Sequence, residues 1–148
     1  MFTVVQDLQG PLVFRGPLWY TNFEPVVDFE EEGCPVLTNQ EVEKVVEELC
    51  GSVASLFPQN KIEAILFGSY ARGDAEPGSD IDVLILVDAS RQDISARNWQ
   101  VGDLAAELLL DYGIVVSPIV ENRDYFNKNV NVLPFYHNID REGVRIGA

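Results

Sequence analysis

Apolar side chains recur at spacings of three and four from Val42 through Val45, Val46, Leu49 and Val53 to Leu56, the period of one helix face. Thr38 with Glu41 three residues later has the form of a capping box, which starts that helix, and Pro58 stops it. Ile62, Ala64, Ile65, Leu66 and Phe67 then lead to Gly68 almost without polar interruption, predicting a largely buried strand over 61–67. A second, more apolar run covers 82–87. From about 93 to 110 the pattern is helical again, with Ile94, Trp99, Leu104, Ala105, Leu108 and Leu109 assigned to one side and an end near Gly113. A third strand is predicted over 114–120, followed by a short helical stretch around 122–127, a helical turn or two over 134–143, and an edge strand at Val144, Arg145 and Ile146. Strands alternating with helices predict an α/β layer fold.

Residues 1–37 break this regularity. Gly10, Pro11, Gly16, Pro17, Pro25, Gly33 and Pro35 punctuate them, and Glu30, Glu31 and Glu32 add a charge run, so the segment reads as an irregular N-terminal extension to a domain over 38–148. Phe14, Trp19, Tyr20, Phe23 and Phe29 are too many aromatics for a solvated tail, and packing on the chain's own domain is expected for part of it.

Composition narrows the chemistry. The 148 residues suit one core, and a single His with only two Cys, Cys34 and Cys50, excludes a Cys/His zinc pattern and a disulfide framework. Two reduced, inert thiols are expected. The first ten residues have no basic stretch and include Asp7, and no apolar run approaches the roughly 20 residues of a membrane span, so a cytoplasmic protein with no membrane partner is expected. The net charge of −14 is spread along the chain and offers no basic stripe, which disfavours stable nucleic-acid binding. It does not disfavour a nucleotide carried by a divalent cation, since the cation supplies the positive charge.

The stretch joining the first two strands holds two chemical devices. At the end of the first strand, Gly68 allows a phosphate close to the backbone and Ser69 adds a hydroxyl donor; if a helix begins there, its free N–H groups point at the same phosphate. After the turn at Pro77, Gly78 and Ser79 come Asp80 and Asp82, whose side chains share one face of an extended strand while Ile81 turns to the other. A pair of hard oxygen ligands with room for water and phosphate suits Mg²⁺ or Mn²⁺. Phosphates on Gly68 and Ser69 and a metal on Asp80 and Asp82 describe transfer of a nucleotidyl group from a nucleoside triphosphate, with pyrophosphate leaving. Other motifs fail: Asp74 stands where a P-loop needs Lys, and Leu84 falls at the fifth position of any calcium loop starting at Asp80. A polar turn whose Ser and Asp residues only cap and solvate is the plain alternative, but Gly-Ser followed by Asp-x-Asp at this distance should arise by chance in only about a few chains per thousand.

Gly68 and Ser69, with Asp80, Ile81 and Asp82 following, resemble the signature of the minimal nucleotidyltransferases of the DNA polymerase beta superfamily; Tyr70 to Gly73 and Ser79 strengthen the likeness, and Pro134, Phe135 and the run from Asn138 to Val144 resemble the tail of such domains. The resemblance implies a nucleotidyltransferase fold, a mixed β-sheet flanked by helices. It implies that Gly68 and Ser69 contact the triphosphate, that Asp80 and Asp82 bind Mg²⁺ and are catalytic, and that ATP donates AMP to a hydroxyl acceptor. Domains of this size resemble the antitoxin half of paired modules, where the acceptor is a Tyr on a HEPN-type toxin. An aminoglycoside-like small molecule is the other acceptor the superfamily offers, and a homo-oligomer could hold one between subunits.

The superfamily also places a third carboxylate on a later strand, and the predicted strand 114–120 has none: Ser117 is its only hydrogen-bonding side chain, with Asp111 before it and Glu121 after it. A nucleotide- or partner-binding module with weak or lost turnover is therefore the competing expectation. Arg72, one turn beyond the phosphate loop, is a nucleotide-binding candidate, with a surface ion pair to Asp74 or Glu76 as the equal alternative. His137 is expected to be a packed or surface residue.

Overall fold

A computed structural model describes residues 36–147, together with the backbone of two short strands, β1 (Thr3–Val5) and β2 (Val13–Arg15). Those two pair antiparallel, with Thr3 opposite Arg15, inside a unit over 1–32 that is separate from the unit over 33–148. Two regular strands thus occur where an irregular extension was expected. Trp19, Tyr20, Phe23, Phe29 and Cys34 lie outside the described residues.

The larger unit begins with helix α1 (Asn39–Leu56), and its capping box is formed as expected: the Thr38 hydroxyl accepts from the Glu41 amide, and the Glu41 carboxylate accepts from the Thr38 amide at 2.8 Å. Strand β3 (Ile62–Phe67) runs into the single turn α2 (Gly68–Arg72), and the chain returns as β4 (Ile81–Val87), antiparallel to β3. Helix α3 (Arg91–Tyr112), capped by Ser90 and ended by Gly113 in the left-handed region, crosses over to β5 (Val116–Asn122), parallel to β4. Helices α4 (Arg123–Asn129) and α5 (Pro134–Glu142) precede β6 (Val144–Ile146), antiparallel to β3. The sheet order is β5-β4-β3-β6, a mixed sheet flanked by helices, and Pro118 is accommodated on β5 because that strand is an edge.

Strand alternation divides the core. Ile81, Val83, Ile85 and Val87 pack with Val45, Val46 and Leu49 of α1 and Ile94 and Leu108 of α3. Leu84 and Leu86 face the other way, onto Phe126 of α4 and Tyr136 and Ile139 of α5. Each such side chain stabilises the fold by about 1.5–3 kcal/mol through its burial.

Two sequence expectations are corrected here. On α3 the buried residues are Ile94, Val101 and Leu108, whereas Trp99 is 67% exposed and Leu109 is exposed. The third strand starts two residues later than its apolar run suggests and extends through Glu121, which is buried. Burial pushes the Cys50 thiol up to about 11, with Glu47 adding to the shift, so it is the inert thiol expected.

Candidate active site

The closest approach in the site is at Gly68. It sits where β3 ends and α2 begins, with φ at +72°, and a Cβ built there would overlap the carboxylate of Asp82 on the neighbouring strand. Pairing of Phe67 with Asp82 produces this juxtaposition. Phe67, at the N-cap of α2, supplies no side-chain acceptor, so the first-turn N–H groups after it stay open beside that carboxylate. Ser69 is half-buried in the same turn, and Tyr70 anchors the turn from beneath as part of the core.

Asp80 lies just before β4 and is exposed; Asp82 is half-buried on the face of α4 and α5. Burial raises the Asp82 carboxyl above its ordinary range, repulsion from Asp80 adds to the effect, and Arg72 opposes it. A cation beside Asp82 would offset both the burial of its charge and the repulsion from Asp80, so the pair favours one. Arg72 itself pairs with Asp74 at 3.3 Å on the surface, an exposed contact that holds it only weakly.

The register locates the candidates for a third acid. Ser117, not a carboxylate, stands beside Asp82, and its hydroxyl donates to Asp80 at 3.5 Å. Glu121 is on the strand after all, but it pairs with Leu86, about 13 Å further along. There it accepts from the Tyr136 hydroxyl at 2.9 Å and pairs with Arg91 at 3.2 Å, which explains how a carboxylate is tolerated in the interior. Asp111 is exposed on α3, the helix that covers the opposite face of the sheet. Among the described residues no group of three or more Asp, Glu, His or Cys is gathered as metal ligands, so any cation here would rest on Asp80 and Asp82 and complete its shell from phosphate and water.

Phe67, Gly68, Ser69, Arg72 and Asp82 form one side of a cleft of about 430 Å³. Phe135, Asn138, Ile139 and Glu142 of α5 form the other. The sequence reading gave these α5 residues no role, although their spacing of three, four and seven marks a single helix face. His137, on the same helix, is exposed and does not line the cleft.

The sequence has known relatives. The family model described as "Nucleotidyltransferase domain" matches residues 46–137. Three proteins of Methanocaldococcus jannaschii, each named "putative protein adenylyltransferase", are similar. One is 41% identical over 68% of this chain and 93% of its own length; the others are 37% identical over 60% of this chain and 61% of theirs, and 29% identical over 72% and 99%. The matched segment holds Gly68, Ser69, Asp80 and Asp82 within the sheet order described above, and the chain belongs to the nucleotidyltransferase domain family.

Proposed function

We propose that this transferase moves AMP from ATP onto a hydroxyl of an acceptor, with residues 38–148 as the catalytic domain and 1–37 as an appended segment. The observation that carries this reading is the contact between Gly68 and the Asp82 carboxylate, which sets a backbone open to phosphate against an acid suited to a cation. Gly68 and Ser69 hold the β- and γ-phosphates, and Arg72, leaving its surface pair with Asp74, adds a charge to them. Asp80 and Asp82 would hold Mg²⁺ or Mn²⁺, which would supply neutralisation of the charge developing on the transferred phosphorus. The acceptor oxygen forms its bond to the α-phosphorus as the bond to the bridging oxygen of the β-phosphate breaks; its proton passes to solvent, and pyrophosphate departs.

The names of the similar archaeal proteins support a protein as acceptor. The family resemblance supports a Tyr of a HEPN-type toxin, with this chain as its antitoxin in the cytoplasm. Among the described residues no helix is long and apolar enough to cross a membrane. A second reading, a nucleotide- and partner-binding module with slow turnover, is favoured by Ser117, which stands beside Asp82 and cannot serve as a base as a carboxylate would. General-base catalysis contributes about 10²-fold or more, so that loss is measurable.

The test mixes the purified chain, the product of its neighbouring gene, Mg²⁺ or Mn²⁺, and ATP labelled at the α-phosphate. Label moves to the partner, and Asp80→Asn and Asp82→Asn each lower the rate by more than about 10²-fold. Copurification of the two proteins without any label transfer would establish the binding module instead.

A further inference from the structure

Resting on that reading, we propose that the α5 wall is the nucleoside subsite and that Phe135, Asn138 and Glu142 select adenosine. Ile139 anchors this face of α5 by burying itself against the sheet, leaving Phe135, Asn138 and Glu142 exposed along the cleft. Glu142, the last residue of α5, lines the cleft together with Gly68 and Asp82. Gly143 makes the approach feasible: a Cβ there would overlap the Ile139 carbonyl and the Ile65 side chain and would lie 3.3 Å from the Leu66 carbonyl. At the other end of the helix, the Phe135 ring, 49% exposed, stands edge-on to Phe67 with centroids 5.7 Å apart.

The chemistry of the three side chains is complementary to a nucleoside. Glu142 makes no ion pair among the described residues, and phosphate oxygens beside Gly68 would repel it, so its fitting partner is a pair of O–H donors, the ribose hydroxyls. An acidic residue on the ribose is a known device in nucleotide folds. An Asn amide offers one donor and one acceptor, matching N7 and the amino group of adenine, whereas guanine presents two acceptors on that edge. An exposed aromatic face adds stacking, which tolerates any base. The family match ends at residue 137, and the likeness of the run from Asn138 to Val144 to the tail of such domains assigns neither Asn138 nor Glu142 to the nucleoside.

Calorimetric titration with Mg²⁺ complexes of ATP, GTP, 2′-deoxy-ATP and 3′-deoxy-ATP, without acceptor, tests the subsite. Wild type should bind ATP about tenfold tighter than GTP, and Asn138→Ala should remove that preference. Phe135→Ala should weaken all four about tenfold. Glu142→Ala should weaken ATP about fivefold yet bind at least one deoxy analogue as wild type does. If Phe135→Ala misfolds, the two exposed positions still decide. Wild-type binding of ATP with no preference over GTP, or with no change in the Asn138 and Glu142 variants, overturns the subsite and leaves the transferase reading standing. Failure of wild type to bind any of the triphosphates overturns both.

Discussion

Asp82 costs the fold stability when it ionises. Because burial, then Asp80, raise its carboxyl, the folded chain holds that proton more tightly than the unfolded chain does. Its favourable contribution is therefore present at acid pH and lost as pH rises through the raised value. Asp82→Asn should raise Tm at neutral pH, and the gain should vanish below about pH 4. Mg²⁺ should raise the wild-type Tm and leave that variant unmoved; thermal melts with and without the ion, across pH, check both statements. Gly68→Ala faces a positive φ and an occupied space at once. It should lose at least about 1–3 kcal/mol in urea unfolding and most of the transfer activity; a variant as stable and active as wild type would contradict the contact.

Helix α3 shows how much of an element can be read in advance. Its ends were legible, since Gly113 takes the left-handed cap, and so was the α1 capping box. Its buried side was not, because apolar residues lie on more than one face and the elements packed against it, α1 and β5, decide which face is covered. Adjacent leucines make the difference measurable: Leu108→Ala should cost roughly 2–4 kcal/mol, and Leu109→Ala less than about 0.5. Glu121 was missed as a strand residue for a related reason. The apolar pattern stops before it, while its partners, Tyr136 and Arg91, come from elements remote in sequence. Gly68, Ser69, Asp80 and Asp82 were visible because they are close along the chain. The α5 side of the cleft was hidden because polar residues facing a cavity look, in sequence, like residues facing solvent.

Tyr136 and Glu121 clasp α5 to β5. Burial, and then the hydrogen bond to Glu121, push the Tyr136 phenol up to about 12. Its contribution to stability is complete below the ordinary tyrosine value near 10 and is lost as pH rises toward 12. Tyr136→Phe should be less stable at neutral pH by about 1–3 kcal/mol, and the deficit should shrink through that alkaline window in denaturant titrations.

For the whole molecule the net charge sets the kinetics of encounter. A chain at −14 repels a triphosphate that still carries excess negative charge after binding Mg²⁺. Added salt should therefore quicken nucleotide association, the reverse of the usual behaviour of basic nucleotide-binding surfaces, because screening weakens a repulsion over a Debye length of about 8–10 Å. Stopped-flow binding of a fluorescent ATP analogue between low and moderate ionic strength reads the sign directly.

The touch between Gly68 and Asp82 also makes ion and nucleotide report on each other. A cation that fixes the carboxylate fixes the loop against it, and phosphates that fix the loop fix the carboxylate. Whatever factor Mg²⁺ gains for the affinity of ATP, ATP must return to Mg²⁺. Neither ligand alone then need be held tightly, and the protein answers to their joint presence.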